Sequence, residues 1–413
     1  MKALRVKELF RFGNWPLTLL YVVVFLLPLQ KRVLPGLIFF MFFFSIAQLR
    51  FRFYRQYWPL LFMLGLYLLH AIGWLYTNHP YDGRKELEFK ASLIAFPLMA
   101  MMLPLLTAQR IRNLLRLFAW GCLLFAVFAL LYGLKRSLEL DDWEYMFYGK
   151  LGIIFHPTYA AVYQVFALSF LLFRAMAGDF LLKNKWLHYS ACTLMVIFVS
   201  MLSSKAGILS LVFITIYCGW VGWRQSVNGK APILVSLYFI GISLGSAFAL
   251  PKSSQRIEGA IRTVENSGST EVAHTSVDLR EVAWRASIEL IVENPMGVGT
   301  GNTTPELVKK YLEKGEVYAA KKNLNSHNQF LQTTCELGWL GLILLLASLV
   351  GMTIHSWRKK DWIFLGFVLL CAFNFLFESF LEVQFGLVFF SLWAMVFLKH
   401  DGNETGNYWV GMK

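Results

Sequence analysis

Twelve apolar runs, each close to the length of a membrane-crossing helix, recur along this sequence from one end to the other. A helix needs about 20 residues to cross a hydrocarbon core of roughly 30 Å, because each residue advances it by only about 1.5 Å. The runs fall near residues 14–30, 33–49, 58–76, 91–106, 117–134, 157–175, 188–203, 206–222, 231–250, 337–355, 362–378 and 383–398. They leave no room for a soluble domain of ordinary size. Only 15% of the 413 residues are charged, against roughly 25% in a soluble chain. Lipid offers the backbone no hydrogen-bond partners, so runs of this length predict helices. The expected fold is an all-α polytopic membrane protein of about 12 spans. Residues 1–250 carry spans 1–9, 251–336 form a helical loop, and 337–413 carry spans 10–12 and a tail.

Charge sets the orientation. The net charge of +14 could suggest a nucleic-acid partner. The lysines and arginines instead sit in short clusters between apolar runs, as topology signals and lipid headgroup contacts do, so no nucleic acid is expected. With the N-terminus in the cytoplasm, 20 Lys and Arg fall on the inner side, 9 in short outer loops and 10 in the long loop. Long loops cross regardless of charge, so 20 against 9 decides, and it favours both ends inside with the long loop outside. The first apolar run lacks a small-residue cleavage site and reads as a span rather than a signal peptide. Cys122, Cys192, Cys218, Cys335 and Cys371 show neither a disulfide framework nor metal-ligand spacing, and read as small core residues.

The loop from Pro251 to Glu336 is the only long polar stretch. Ser276 can cap a helix that runs to Glu293 and is stopped by Asn294-Pro295. Arg280, Trp284, Ser287 and Ile291 share one face of it. The turn M-G-V-G-T-G-N follows, then a helix from Thr304-Pro305-Glu306 to about Lys314. Asn325 or Ser326 can cap a third helix, with His327 on its first turn, that continues into the tenth span. N-S-G-S-T at 266–270 reads as a loop tip.

These residues suit one kind of chemistry. A site on the outer face has no nucleotide donors, so a transferred sugar must arrive activated, usually on a polyprenyl diphosphate. Releasing that carrier requires fixed cations. Arg280, Arg285, Lys205 and Lys252 are the outward cations nearest membrane segments or loop helices, and arginine binds phosphate bidentately. The turn holding Gly297 and Gly299 could aim amides at a phosphate, or could simply connect two helices through positive-φ glycines. His327, in N-S-H-N, can act as a general base at neutral pH; His274 and His156 rank below it. Asp141-Asp142-Trp143-Glu144 reads as a solvated charge run rather than a metal site. Lys205 sits in S-S-K-A-G between spans, either snorkelling or functional.

The pattern resembles the O-antigen ligase and polymerase superfamily of bacterial envelope glycosyltransferases. The matching residues are Arg280-x-x-x-Trp284, Asn294-Pro295-x-Gly297-x-Gly299, His327-Asn328-x-Phe330-Leu331 and Glu336-x-Gly338-x-x-Gly341, with the long loop between spans nine and ten. The resemblance implies metal-independent, cofactor-free transfer from an undecaprenyl diphosphate-linked glycan to an acceptor, commonly lipid A core, at the periplasmic face of the inner membrane. It implies diphosphate binding by Arg280 and by an arginine after the seventh span, whose place Lys205 takes here, and activation of the acceptor or leaving group by His327. Chain-extending polymerases and protein O-oligosaccharyltransferases share these motifs. A twelve-span transporter is the alternative of another class; the short central connection at 176–187 and the off-centre long loop speak against its usual two-half form.

Overall fold

A computed structural model describes residues 14–48, 51–176, 178–225, 229–250, 254 and 278–401. The readings for Lys252, His274, Ser276 and the 266–270 tip lie outside these residues. The described helices are α1 (Trp15–Leu26), α2 (Leu34–Ile46), α3 (Trp58–Leu75), α4 (Pro80–Lys90), α5 (Ser92–Met102), α6 (Ala108–Leu140), α7 (Tyr148–Gly152), α8 (Pro157–Met176), α9 (Lys185–Met201), α10 (Lys205–Gln225) and α11 (Ala231–Ala249). Then come α12 (Asp278–Glu293), α13 (Thr303–Glu313), α14 (Val317–Lys321), α15 (Gln329–Arg358), α16 (Trp362–Phe375) and α17 (Gln384–Leu398). Each predicted span coincides with one of these helices. Six of them are long and apolar enough to cross a membrane, and shorter apolar helices accompany them. The chain is an all-α polytopic membrane protein.

Helix α8 is the axis of the bundle. Almost every residue from Pro157 to Ala175 is buried, which fits a helix that is apolar all round. It packs on α6, α9, α10 and α16. Phe118 of α6, Tyr163 and Phe166 of α8, Phe367 of α16 and Phe389 and Trp393 of α17 form a continuous ring-on-ring core. By contrast α2, α3 and α11 expose Phe39, Phe40, Leu68, Leu234 and Leu237, the face that lipid would cover.

The tenth span is broken where the sequence places its start. At Gly338 the backbone turns to φ 67 and ψ −168 inside α15, so a first segment reaching Leu337 leads into the spanning one. Such a break orphans carbonyls on one side and an amide on the other. The glycine turn supplies the partners. Val298 N donates to Cys335 O at 2.8 Å, Gly299 N to Glu336 O at 3.0 Å, and Trp339 N to Pro295 O at 3.2 Å. Gly297 (φ 83) and Gly338 (φ 67) meet backbone to backbone, with no room for a Cβ on either.

The same seam buries charge. Lys90 Nζ, at the end of α4, lies 2.7 Å from Glu382 Oε2 and 3.3 Å from Glu336 Oε2. His70 Nδ1 of α3 lies 2.8 Å from Glu336 Oε1. Thr300 Oγ1 donates to His70 O at 2.9 Å, and Gly301 N donates to Glu86 Oε2 at 3.1 Å. The turn is therefore bolted to α3, α4 and α15 together.

Gly338→Ala should lower the stability of the detergent-solubilised protein by on the order of 1–3 kcal/mol, the usual cost of a strained backbone conformation. Gly36→Ala, where a Cβ meets nothing within 4 Å, should change it by less than about 0.5 kcal/mol. Lys90→Met, which strands two buried carboxylates, should cost roughly 3–5 kcal/mol. Thermal or denaturant unfolding of the three variants checks all these values.

Candidate functional site

A cavity of about 360 Å³ opens where the starts of α8, α10 and α17 meet the loop helices. Its lining includes Lys205, Arg280 and His327, which lie far apart in sequence, together with His156, Tyr159 and Glu378. Each is delivered by a local device.

Lys205 stands on the first turn of α10. Ser203 adopts φ 49 just before it, and Ser204 Oγ caps the helix by accepting from Gly207 N at 3.2 Å. A Cβ on Gly207 would lie 2.5 Å from Ala161 Cβ, so the glycine lets α10 settle on α8. That approach sets Ser204 Oγ 3.1 Å from Thr158 Oγ1 and brings Lys205 into the lining of the cavity. Arg280 lies on the first turn of α12, and its Nε donates to Phe377 O at 3.2 Å. It thereby ties the long loop to the segment between α16 and α17.

His327 was expected on the first turn of a helix capped by Asn325 or Ser326. The structure moves it outside. Asn328 is the N-cap, accepting from Phe330 N and Leu331 N at 2.9 and 3.1 Å. His327 precedes it in a left-handed conformation, φ 45, with its amide donating to Asn325 Oδ1 at 3.0 Å. An asparagine two residues before the first free amides satisfies them better than the earlier candidates could. The displaced His327 points its Nδ1 at Glu378 Oε1, 3.6 Å away. This is longer than a hydrogen bond, yet near enough for the carboxylate to face that ring edge. Burial pushes the Glu378 carboxyl up, but His327, with His156 and Arg280, outweighs it and holds the group below its usual value of 4.5.

Residues 190–346, less than half of the chain, match the family model described as O-antigen ligase. That segment is similar to the O-antigen ligase family. No curated protein matches the sequence. The family is one of membrane glycosyltransferase-type enzymes, whose substrates are polysaccharides and lipid-linked glycans. The matched segment contributes Lys205, Arg280 and His327. Tyr148, His156, Tyr159, Glu378 and Phe385 complete the cavity from outside it.

Three sequence candidates are not in the lining. Arg285 is 72% exposed and pairs with Glu281 one turn away on α12; its position faces away from the α12 side that packs on α15. Gly297 N donates to Asn294 O at 2.9 Å and Gly299 N to Glu336 O, so both amides are already engaged within the protein. The connector reading, with positive-φ glycines, describes them. Asp142 accepts from Glu144 N at 2.9 Å, and Lys150 bridges Asp142 and Glu144 at 2.6 and 3.3 Å, in keeping with the charge-run reading.

Sequence reasoning missed Glu378, and it missed the wall of Tyr148, Thr158 and Tyr159. Glu86, half-buried beside the network, is also not what its sequence suggests. Burial, then the nearby Glu336 charge, raises its carboxyl to about 9, so it stays protonated at neutral pH.

Because the folded-state value of Glu378 is depressed, its contribution is present above the ordinary carboxylate value and is lost as pH falls through the folded one. The melting temperature of Glu378→Gln should therefore fall furthest below that of the parent above pH about 5 and converge with it in acid. Melting curves of both proteins across the acid range test this.

Proposed function

We propose that the cavity transfers a glycan from an undecaprenyl diphosphate carrier to an acceptor hydroxyl, with O-antigen ligation to lipid A core as the reaction. The observation that carries this reading is the convergence of Lys205, Arg280 and His327 on one cavity. The carrier's diphosphate lies against Lys205 and Arg280. Arg280 offers a planar fork and Lys205 a point charge. The metal-independent chemistry that the resemblance implies needs fixed cations facing the leaving group, and these two residues supply them.

His327 takes the acceptor proton. A carboxylate facing Nδ1 favours the tautomer with its proton there, leaving Nε2 free to accept one. Glu378, kept ionised by its surroundings, fills that role. The deprotonated oxygen attacks the anomeric carbon, and a new glycosidic bond forms. The bond from that carbon to the phosphate oxygen breaks, and its electron pair leaves with the lipid diphosphate. The two cations stabilise that departing charge, and attack from the face opposite the phosphate inverts the anomeric centre.

The charge distribution supports a cavity on the periplasmic face of the inner membrane. There the lipid tail of the donor can remain in the outer leaflet while its headgroup enters. Polymerisation of the same donor uses the same geometry and differs only in the acceptor.

Arg280→Ala and His327→Ala should each lower transfer by at least about 100-fold while the protein stays inserted; Lys205→Arg should retain most activity. The assay is the formation of glycan-capped lipid A from purified carrier-linked donor. Near-normal transfer in both alanine variants defeats the reading, and free polymer in place of capped lipid would mark a polymerase.

A further inference from the structure

At the opposite end of α8 from the cavity, two guanidinium groups meet on a single carboxylate, and a third lies within electrostatic range of both. Arg112 and Arg116 are one turn apart on α6 and share a face. Arg174 lies in the last turn of α8. Asp179, just beyond α8, receives Arg116 Nη2 on both oxygens, at 2.7 and 2.6 Å, and also contacts Arg174 Nη2. Its amide donates to Arg174 O at 2.9 Å, so the backbone fixes the carboxylate in place.

The charges do not balance. Among the described residues the cluster holds three cations and one anion, with the Arg174 side chain only 8% exposed and that of Arg116 31% exposed. Arg112 lies within electrostatic range of both other arginines. Its Nη1 donates to Gln109 Oε1 at 3.2 Å, while its Nε is buried with no acceptor among the described residues. An isolated topology signal would extend into water, where its charge is hydrated. Here the guanidinium groups are drawn against the bundle, where excess positive charge is costly unless an anion arrives.

The level in the membrane suggests which anion. Trp186 at the start of α9 and Trp223 near the end of α10 are 71% and 50% exposed at this same end of the bundle, as tryptophans at headgroup depth are. Basic pockets between spanning helices at that depth suit lipid phosphates. We propose that Arg112, Arg116 and Arg174 bind the phosphate group of an anionic lipid headgroup, in the leaflet opposite the cavity. Arg112 and the outer edge of Arg116 hold the phosphate, and Asp179 keeps Arg116 and Arg174 splayed to receive it. The site shares no residue with the cavity.

The test uses the full-length protein in neutral detergent, with phosphatidylglycerol, phosphatidylcholine or inorganic phosphate added. Native mass spectrometry reads retained lipid, and melting temperature reads stabilisation. Preferential retention of phosphatidylglycerol over phosphatidylcholine is expected, with about tenfold weaker retention in Arg112→Gln, the loss of one charge-assisted contact. Arg112→Gln gives up a bond only to Gln109, and the comparison of lipids on the unaltered protein stands even if the variant unfolds. Stabilisation by inorganic phosphate equal to that by phosphatidylglycerol, and lost in Arg112→Gln, would support the phosphate site with the free ion as its ligand. Equal retention of the two lipids with no effect of phosphate, or retention unchanged in a folded Arg112→Gln, overturns the proposal.

Discussion

Glu336 is a carboxylate removed almost wholly from water, 1% exposed, on the short segment that leads into the broken span. Desolvating such a group costs several kcal/mol, and only close, well-placed partners offset it. Its partners come from three other places: Lys90 from the end of α4, His70 from α3 and, through Lys90, Glu382 from the turn before α17. Lys90 serves two carboxylates at once, so neither pairing is complete without the other. The consequence is cooperative. The loop helices cannot dock against the bundle piecemeal, because a partial dock leaves charge buried and unmatched.

The cavity inherits its geometry from this lock. His327 stands at the start of the helix that carries Glu336, and Glu378 stands at the start of the turn that carries Glu382. Gln329 joins the two directly, donating to Glu382 Oε1 at 3.3 Å and accepting from Leu381 N at 2.6 Å. Fixing Glu336 and Glu382 around Lys90 therefore sets the spacing of His327 and Glu378. Strain gathers at the same rim. Tyr148, Ser203 and His327 all hold positive φ without being glycine, and each lines the cavity or stands within two residues of a lining side chain. Such conformations persist only where surrounding contacts over-determine them, and here those contacts are the caps at Ser204 and Asn328 and the packing of α10 on α8.

Much of this was legible in the sequence, for reasons that differ from residue to residue. The spans could be read because lipid enforces length and apolarity on every one of them, and Gly338 coincides with the predicted start of the tenth. Lys205, Arg280 and His327 could be singled out because each is an exception in its own stretch. The partners could not. Glu378 and Glu382 look alike from the sequence, yet one faces His327 and the other Lys90, a difference set by how a single turn lies against α15. Gly297 and Gly299 have the composition of an anion-binding turn, and only the break at Gly338 shows what the amides of Val298 and Gly299 satisfy. Lys399 counts as a topology charge in the sequence. In the fold it is buried and donates to Ala100 O and Leu103 O at 2.8 and 2.6 Å, filling orphan carbonyls at the end of α5.

The matched segment divides the cavity in an informative way. Lys205, Arg280 and His327 lie within residues 190–346, whereas Tyr148, His156, Tyr159, Glu378 and Phe385 reach it from elsewhere. On the proposed mechanism the first group meets the lipid diphosphate and the proton to be moved. The second group forms an aromatic and hydroxyl-bearing wall suited to sugar faces, which differ from one glycan to the next. Chemistry common to a fold belongs in the shared part, and selectivity in the surrounding elements. Glu378 cuts across that division, because it serves the base and yet stands outside the matched segment. On the same proposal the segment holds the reacting groups without the carboxylate that orients one of them. The minimal catalytic unit on this reading is that segment together with the turn between α16 and α17.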